Sequence, residues 1–122
     1  MRVKTTLFDS ELKLMELLWE REPVSAKELS LMAADRIGWN KNTTYTVIKK
    51  LIDKGVIRRE EPGFVCHAEV RREDVVRAET ESLIGRFFGG SKKALFSALL
   101  EDEALSAEEL AELKKLISDK QI

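Results

Sequence analysis

Cysteine, histidine, tyrosine and proline are nearly missing from this chain of 122 residues, which holds one, one, one and two of them. A single cysteine, Cys66, excludes an intramolecular disulfide and the stapled framework of small extracellular domains. One histidine, one cysteine and no carboxylates framed as a pair leave little for acid–base or nucleophilic catalysis, so no enzyme is expected. The two residues are adjacent as Cys66-His67, and neighbours on a strand point to opposite faces, which makes them a poor chelate. A metal- or redox-sensing regulator built on that pair is therefore disfavoured, and neither a metal nor a cofactor is expected. No apolar run approaches the roughly 18 residues of a spanning helix, and the N-terminus shows no signal-peptide core. A cytoplasmic protein with no membrane partner is the expectation. Bulk charge is lacking too: the formal net charge is −1, so nothing global announces a polyanion.

Charge is present locally. Between Arg36 and Arg59 lie seven basic residues (Arg36, Lys41, Lys49, Lys50, Lys54, Arg58, Arg59) against one acid, Asp53. A basic stretch inside a neutral chain is an electrostatic footprint that the overall charge conceals. It encloses Trp39–Gly55, WNKNTTYTVIKKLIDKG, around which the rest of the chain is organised. Asn40 is suited to cap a helix and Gly55 to stop one. At about 100° per residue, Thr44, Val47, Ile48, Leu51 and Ile52 form a core arc. Asn42, Thr43, Tyr45, Thr46, Lys49 and Lys50 form the other. That second arc is rich in short hydrogen-bonding side chains, which suit base edges in a duplex groove, with lysines for phosphate or guanine. An ordinary amphipathic helix with a polar exterior is the bland alternative.

The flanking segments favour the groove reading. Asp9 or Ser10 can cap a helix to about Arg21 with Leu12, Met15, Leu18 and Trp19 inward. Glu22-Pro23 ends it. Ser25 and Glu28 form a capping box that opens a helix to about Ile37, with Leu29, Met32 and Ala33 inward. Two helices joined by a few residues, the second with a polar first turn, read as a helix-turn-helix. Val56–Glu61 and Phe64–Val70, around Pro62-Gly63, then read as a hairpin. The sum is a mainly α fold with a small β-hairpin wing: a winged helix over residues 1–71. Residues 72–122 read as three helices, with Val76, Leu83, Ile84, Phe87 and Phe88 on the first. Leu95, Phe96, Leu99 and Leu100 lie on the second, and Leu110, Leu113, Leu116 and Ile117 on the third, behind a Ser106/Glu109 capping box. So short a segment is marginal alone, and these stripes are read as a subunit interface. The run Glu101-Asp102-Glu103 reads as a solvated helix end.

Three stretches carry a resemblance: Asp9–Trp19, Trp39–Gly55 and Glu81–Gly90, with the Leu105-Ser106 start of the last helix fitting as well. The chain resembles the BlaI/MecI family of bacterial transcriptional repressors, the penicillinase repressors, over essentially its full length. The resemblance implies a homodimer with an N-terminal winged-helix DNA-binding domain and a C-terminal helical dimerisation domain, bound to a pseudo-palindromic operator. Thr43 and Thr46 match threonines of the family's recognition helix, and Lys50 stands where Arg or Lys is usual. Asn42 stands where the family often has Lys. Family wings tend to be basic near the tip, whereas Glu60-Glu61-Pro62-Gly63 is acidic, which implies a weaker wing contribution. A sensor protease cuts an Asn-Phe bond in the best-studied relatives; the corresponding pair here is Ala98-Leu99, so that cut does not carry over, and a sensor protease remains an open partner. The copper-responsive CopY relatives bind metal through a C-terminal cysteine cluster, and residues 104–122 hold no cysteine.

These readings together predict base contacts from Asn42, Thr43 and Thr46 and phosphate contacts from Lys41, Lys49, Lys50, Arg58 and Arg59. The dimer would be made by Leu83, Ile84, Phe87, Phe88, Leu95, Phe96, Leu99, Leu100, Leu113 and Leu116. The competing reading is a winged-helix protein-interaction module that never touches DNA, with Tyr45 beside Val47 as an anchor.

Overall fold

Glu11 sits at the middle of the face that the first helix buries, although it is a carboxylate. A computed structural model describes residues 6–101 and 104–120. In it α1 spans Asp9–Arg21 and buries Glu11, Leu14, Met15, Leu17 and Leu18. The expected inward position of Leu12 is not found: it is exposed, and Trp19 lies at the edge, half-buried. The apolar arc turns toward Leu14 and Leu17 because Glu11 takes its centre, where Lys54 Nζ meets Glu11 Oε1 at 2.7 Å. The other Glu11 function is local, since Oε1 also accepts from Phe8 N at 2.8 Å. The helix thus begins at a Phe8 cap, and not at Asp9 or Ser10.

A two-residue strand that the sequence did not announce, β1 (Val24–Ser25), precedes α2 (Ala26–Arg36). Ser25 Oγ accepts from Glu28 N at 3.1 Å, so the serine side of the capping box forms. Leu29, Ser30 and Ala33 are buried on α2. The next helix, α3, spans Lys41–Asp53, with Asn40 Oδ1 accepting from Thr43 N at 2.8 Å and Thr44, Val47, Ile48 and Leu51 buried. Gly55 follows at φ 77°, the left-handed value that ends helices at low cost in glycine.

The hairpin consists of β2 (Ile57–Glu60) and β3 (Val65–Ala68), antiparallel, pairing Ile57 with Ala68 and Arg59 with Cys66. β1 pairs with the far side of β3, giving the order β1-β3-β2. The wing is therefore stitched to the start of α2, where Ala26 N donates to Phe64 O at 2.9 Å. Trp19 Nε1 donates to Val70 O at 2.9 Å and ties the end of the wing to α1. One core, built from α1, α2, α3 and the sheet, gathers Leu14, Met15, Leu18, Leu29, Ile48, Leu51, Ile57 and Cys66.

Three helices follow: α4 (Arg72–Phe88), α5 (Lys92–Glu101) and α6 (Ala107–Asp119). The chain divides into two compact units inside α4, the first ending at Glu79 and the second beginning at Thr80. In the first unit Val75 and Asp74 are buried while Val76 is exposed, the reverse of the expected stripe. Arg71 holds Asp74 from one turn earlier, Nε to Oδ2 at 3.3 Å, and keeps its carboxyl below the ordinary carboxylate range. In the second unit the Ser106/Glu109 box closes in both directions, at 2.9 and 3.1 Å. Among the described residues of α5 and α6, none is buried. Asp102 and Glu103 of the acidic run lie outside the described residues.

Candidate nucleic-acid interface

The exposed arc of α3 is set out as its periodicity requires. Asn42, Thr43, Thr46, Lys49 and Lys50 are all exposed, and Lys41 with them. Asn42, Thr43, Thr46 and Lys50 line one shallow hollow together with Val47, Trp39 and Ser10. Trp39 and Ser10 were not among the predicted site residues. They arrive there because the turn before α3 and the first turn of α1 border the same surface.

The chemistry presented by this hollow is specific. Asn40 is spent as the helix cap, so Asn42 is the asparagine left for a base edge. Thr46 Oγ1 donates its proton to Asn42 O at 2.9 Å. Its lone pairs remain, and with them the methyl group, so Thr46 can accept from an exocyclic amine or touch a thymine methyl. Thr44 makes the same bond to Asn40 O at 3.1 Å, but from the buried side. The N-terminal turn of α3 has no acid, and its N–H groups favour an anion.

In the wing, the two arginines have partners within the hairpin. Arg58 is paired with Glu60 at 3.7 Å and Glu69 at 3.5 Å. Arg59 is paired with Glu61 and stacked on Phe64, its guanidinium carbon 3.7 Å from the ring centroid. Both side chains are half exposed and already paired with carboxylates. The pairing of Arg59 with Cys66 and of Arg58 with His67 puts the two arginines on opposite faces of the sheet. Arg59 shares the face of buried Ile57 and Cys66 yet stays half exposed over the Phe64 ring; Arg58 and His67 share the other. The sequence carried that signal, since adjacent strand residues alternate. His67 Nε2 lies 3.0 Å from Glu60 Oε1, so Cys66 and His67 have separate surroundings. Burial pushes the Cys66 thiol up to about 11 against the opposing charge of Arg59. Tyr45 meets the Phe64 ring edge-on, centroids 5.9 Å apart, and is not a free anchor for a partner protein.

This three-helix and three-strand arrangement matches the solution structure of the DNA-binding domain of the repressor BlaI, with a TM-score of 0.54 and 24% identity. The match covers 61% of this chain and 93% of that domain. Residues 7–119 match the penicillinase repressor family. The chain belongs to that family. Similar members are the penicillinase repressor of Bacillus licheniformis, 26% identical over 91% of this chain and 88% of the relative, and the methicillin resistance regulatory protein MecI of Staphylococcus aureus strain N315, 25% identical over 91% and 92%. The family is one of repressors and not of enzymes, and the fold is the winged helix with appended C-terminal helices. Among the described residues no helix is long and apolar enough to cross a membrane.

The predicted dimer residues divide. Phe87 and Leu116 are exposed at 68% and 67%, and Leu83, Phe96, Leu99 and Leu100 are exposed as well. Phe88, Leu95 and Leu113 are half-buried. Ile84 is buried, at 6% exposure. An apolar cleft of about 250 Å³ runs between α5 and α6, lined by Phe96, Leu99, Leu100, Leu105, Leu113 and Ile117 among others.

Proposed function

We propose that this repressor-family member acts as a homodimer that occludes a pseudo-palindromic operator. Each protomer would lay the N-terminal half of α3 in a major groove, with half-sites about one helical turn apart. The supporting observation is the hollow that joins Asn42, Thr43 and Thr46 to Lys50, flanked by Lys41 and Lys49, with no acid on that arc. Asn42, Thr43 and Thr46 read base edges; Lys41, Lys49 and Lys50 hold phosphate, and Arg58 joins them by exchanging its carboxylate partners for a phosphate. Lysine contacts of this kind make affinity fall steeply with salt.

Dimerisation rests on the second unit. Its apolar side chains, Phe87, Phe96, Leu99, Leu100 and Leu116, are more than a small monomer leaves in water without a use. The deciding experiment is a titration of the full chain against a duplex taken from immediately upstream of its own gene, beside a random duplex of equal length. Preference for the first, with a stoichiometry of two chains per duplex, is the expected result. Equal affinity for both, or one chain per duplex, rules the reading out.

A further inference from the structure

Phe64 occupies a backbone conformation that suits glycine or asparagine far better, at φ 48°. A bulky residue at such a position points to a compensating use of its side chain. The ring has one. It accepts the Arg59 guanidinium at 3.7 Å and meets Tyr45 of α3 edge-to-face, at 5.9 Å and 81°. Lys41 stands 5.8 Å from the Tyr45 ring. The backbone of Phe64 is pinned at both ends: its N–H donates to Glu61 Oε1 at 3.1 Å, and its carbonyl accepts from Ala26 N at 2.9 Å. Glu61 also holds Arg59, closing the arrangement.

We infer that Tyr45, Phe64 and Arg59 form a stacked strut that fixes the attitude of the wing against the recognition helix, and that Arg59 is a positioning residue and not a phosphate contact. The inference rests on the DNA-binding reading but concerns different atoms. Planar stacking and a bidentate-capable fork are properties of arginine that lysine lacks. A phosphate contact, by comparison, shows itself in the salt dependence of binding. The strut joins the two elements of the winged helix that would meet adjacent grooves and backbone, so its loss should loosen their relative placement without removing any charge that faces the duplex.

The test uses the full chain with Arg59→Lys, Arg59→Ala and Phe64→Gly. Upstream-duplex affinity is expected to fall by about three- to tenfold in all three, with the slope of affinity against salt as in the unmodified protein. A phosphate contact would instead flatten the slope in Arg59→Ala by about one unit per bound protomer, and that result overturns the inference. Phe64→Gly relieves the backbone but also loses a ring packed against the core, so its binding is measured at a temperature where thermal melts show the variant folded. Unweakened binding by Phe64→Gly also overturns the inference. If the unmodified chain does not prefer its upstream duplex, the DNA reading fails and the strut is judged without DNA. Amide exchange at Ala26 and Phe64 should then quicken in Arg59→Lys, and unchanged exchange sinks the strut too.

Discussion

The pair Glu11–Lys54 shows how one residue can redirect a helix. Glu11 is 1% exposed, and its Oε2 finds no hydrogen-bond partner among the described residues. Lys54, a quarter exposed, is its counter-charge, and its ammonium also donates to Thr6 O at 3.1 Å and stands over the Phe8 ring at 4.4 Å. Removing one partner strands the other charge. Lys54→Ala is therefore expected to destabilise the first unit by about 3 kcal/mol, the lower end for a buried pair because the lysine is partly wet. Replacing both residues by methionine should recover most of that loss in denaturant melts. Cys66 offers a second check. With its thiol pushed up to about 11 and its side chain buried, alkylation at pH 8 should be negligible until the protein unfolds; fast labelling of the native chain would contradict the packing. Glu61 gives a pH test. The Phe64 amide and then the Arg59 guanidinium hold its carboxyl below the ordinary range. A depressed acid contributes fully above its unfolded value and loses that contribution as pH falls through the lower folded value. The Phe64 amide resonance should thus shift below the usual carboxylate range, and Glu61→Gln should abolish that step.

At the scale of elements, α3 is expected to divide labour between base and backbone. Thr46→Ala should narrow the gap between upstream and random duplex, whereas Lys49→Ala should weaken both alike and flatten the salt slope by about one unit per protomer. Unchanged discrimination in the Thr46 variant would remove that side chain from base reading. α3 was legible in the sequence because Asn40 and Gly55 bracket an unbroken 3.6-residue period. The hairpin was legible from Pro62-Gly63 between β-prone runs. β1 was not, because two residues carry no period and Val24-Ser25 becomes a strand only when β3 supplies its partner. The inward face of α1 was misjudged at Leu12 because a glutamate at the centre of a buried face looks polar until its lysine, 43 positions later, is brought beside it. Within the candidate site the α3 side chains could be read from spacing alone. The pairing of Arg58 and Arg59 could not, since Glu69 and Phe64 approach them only across the folded hairpin.

The molecule as a whole has two units of opposite character. The first closes over its own core; the second leaves Phe87, Leu100, Leu116 and Ile117 in water. Pairing of two second units is expected to cover them, so Leu100→Glu combined with Leu116→Glu should sediment as a monomer at micromolar concentration and lose cooperative duplex binding. Sedimentation as a dimer would move the interface elsewhere. The placement of Trp39 at the rim of the hollow has a practical consequence. The chain holds two tryptophans, and the other, Trp19, is anchored to Val70 by its indole N–H. A duplex settling over α3 would dry one indole and leave its twin undisturbed. With Trp19→Phe as a single-emitter version, the blue shift of the remaining fluorescence should trace occupancy directly, without any label attached.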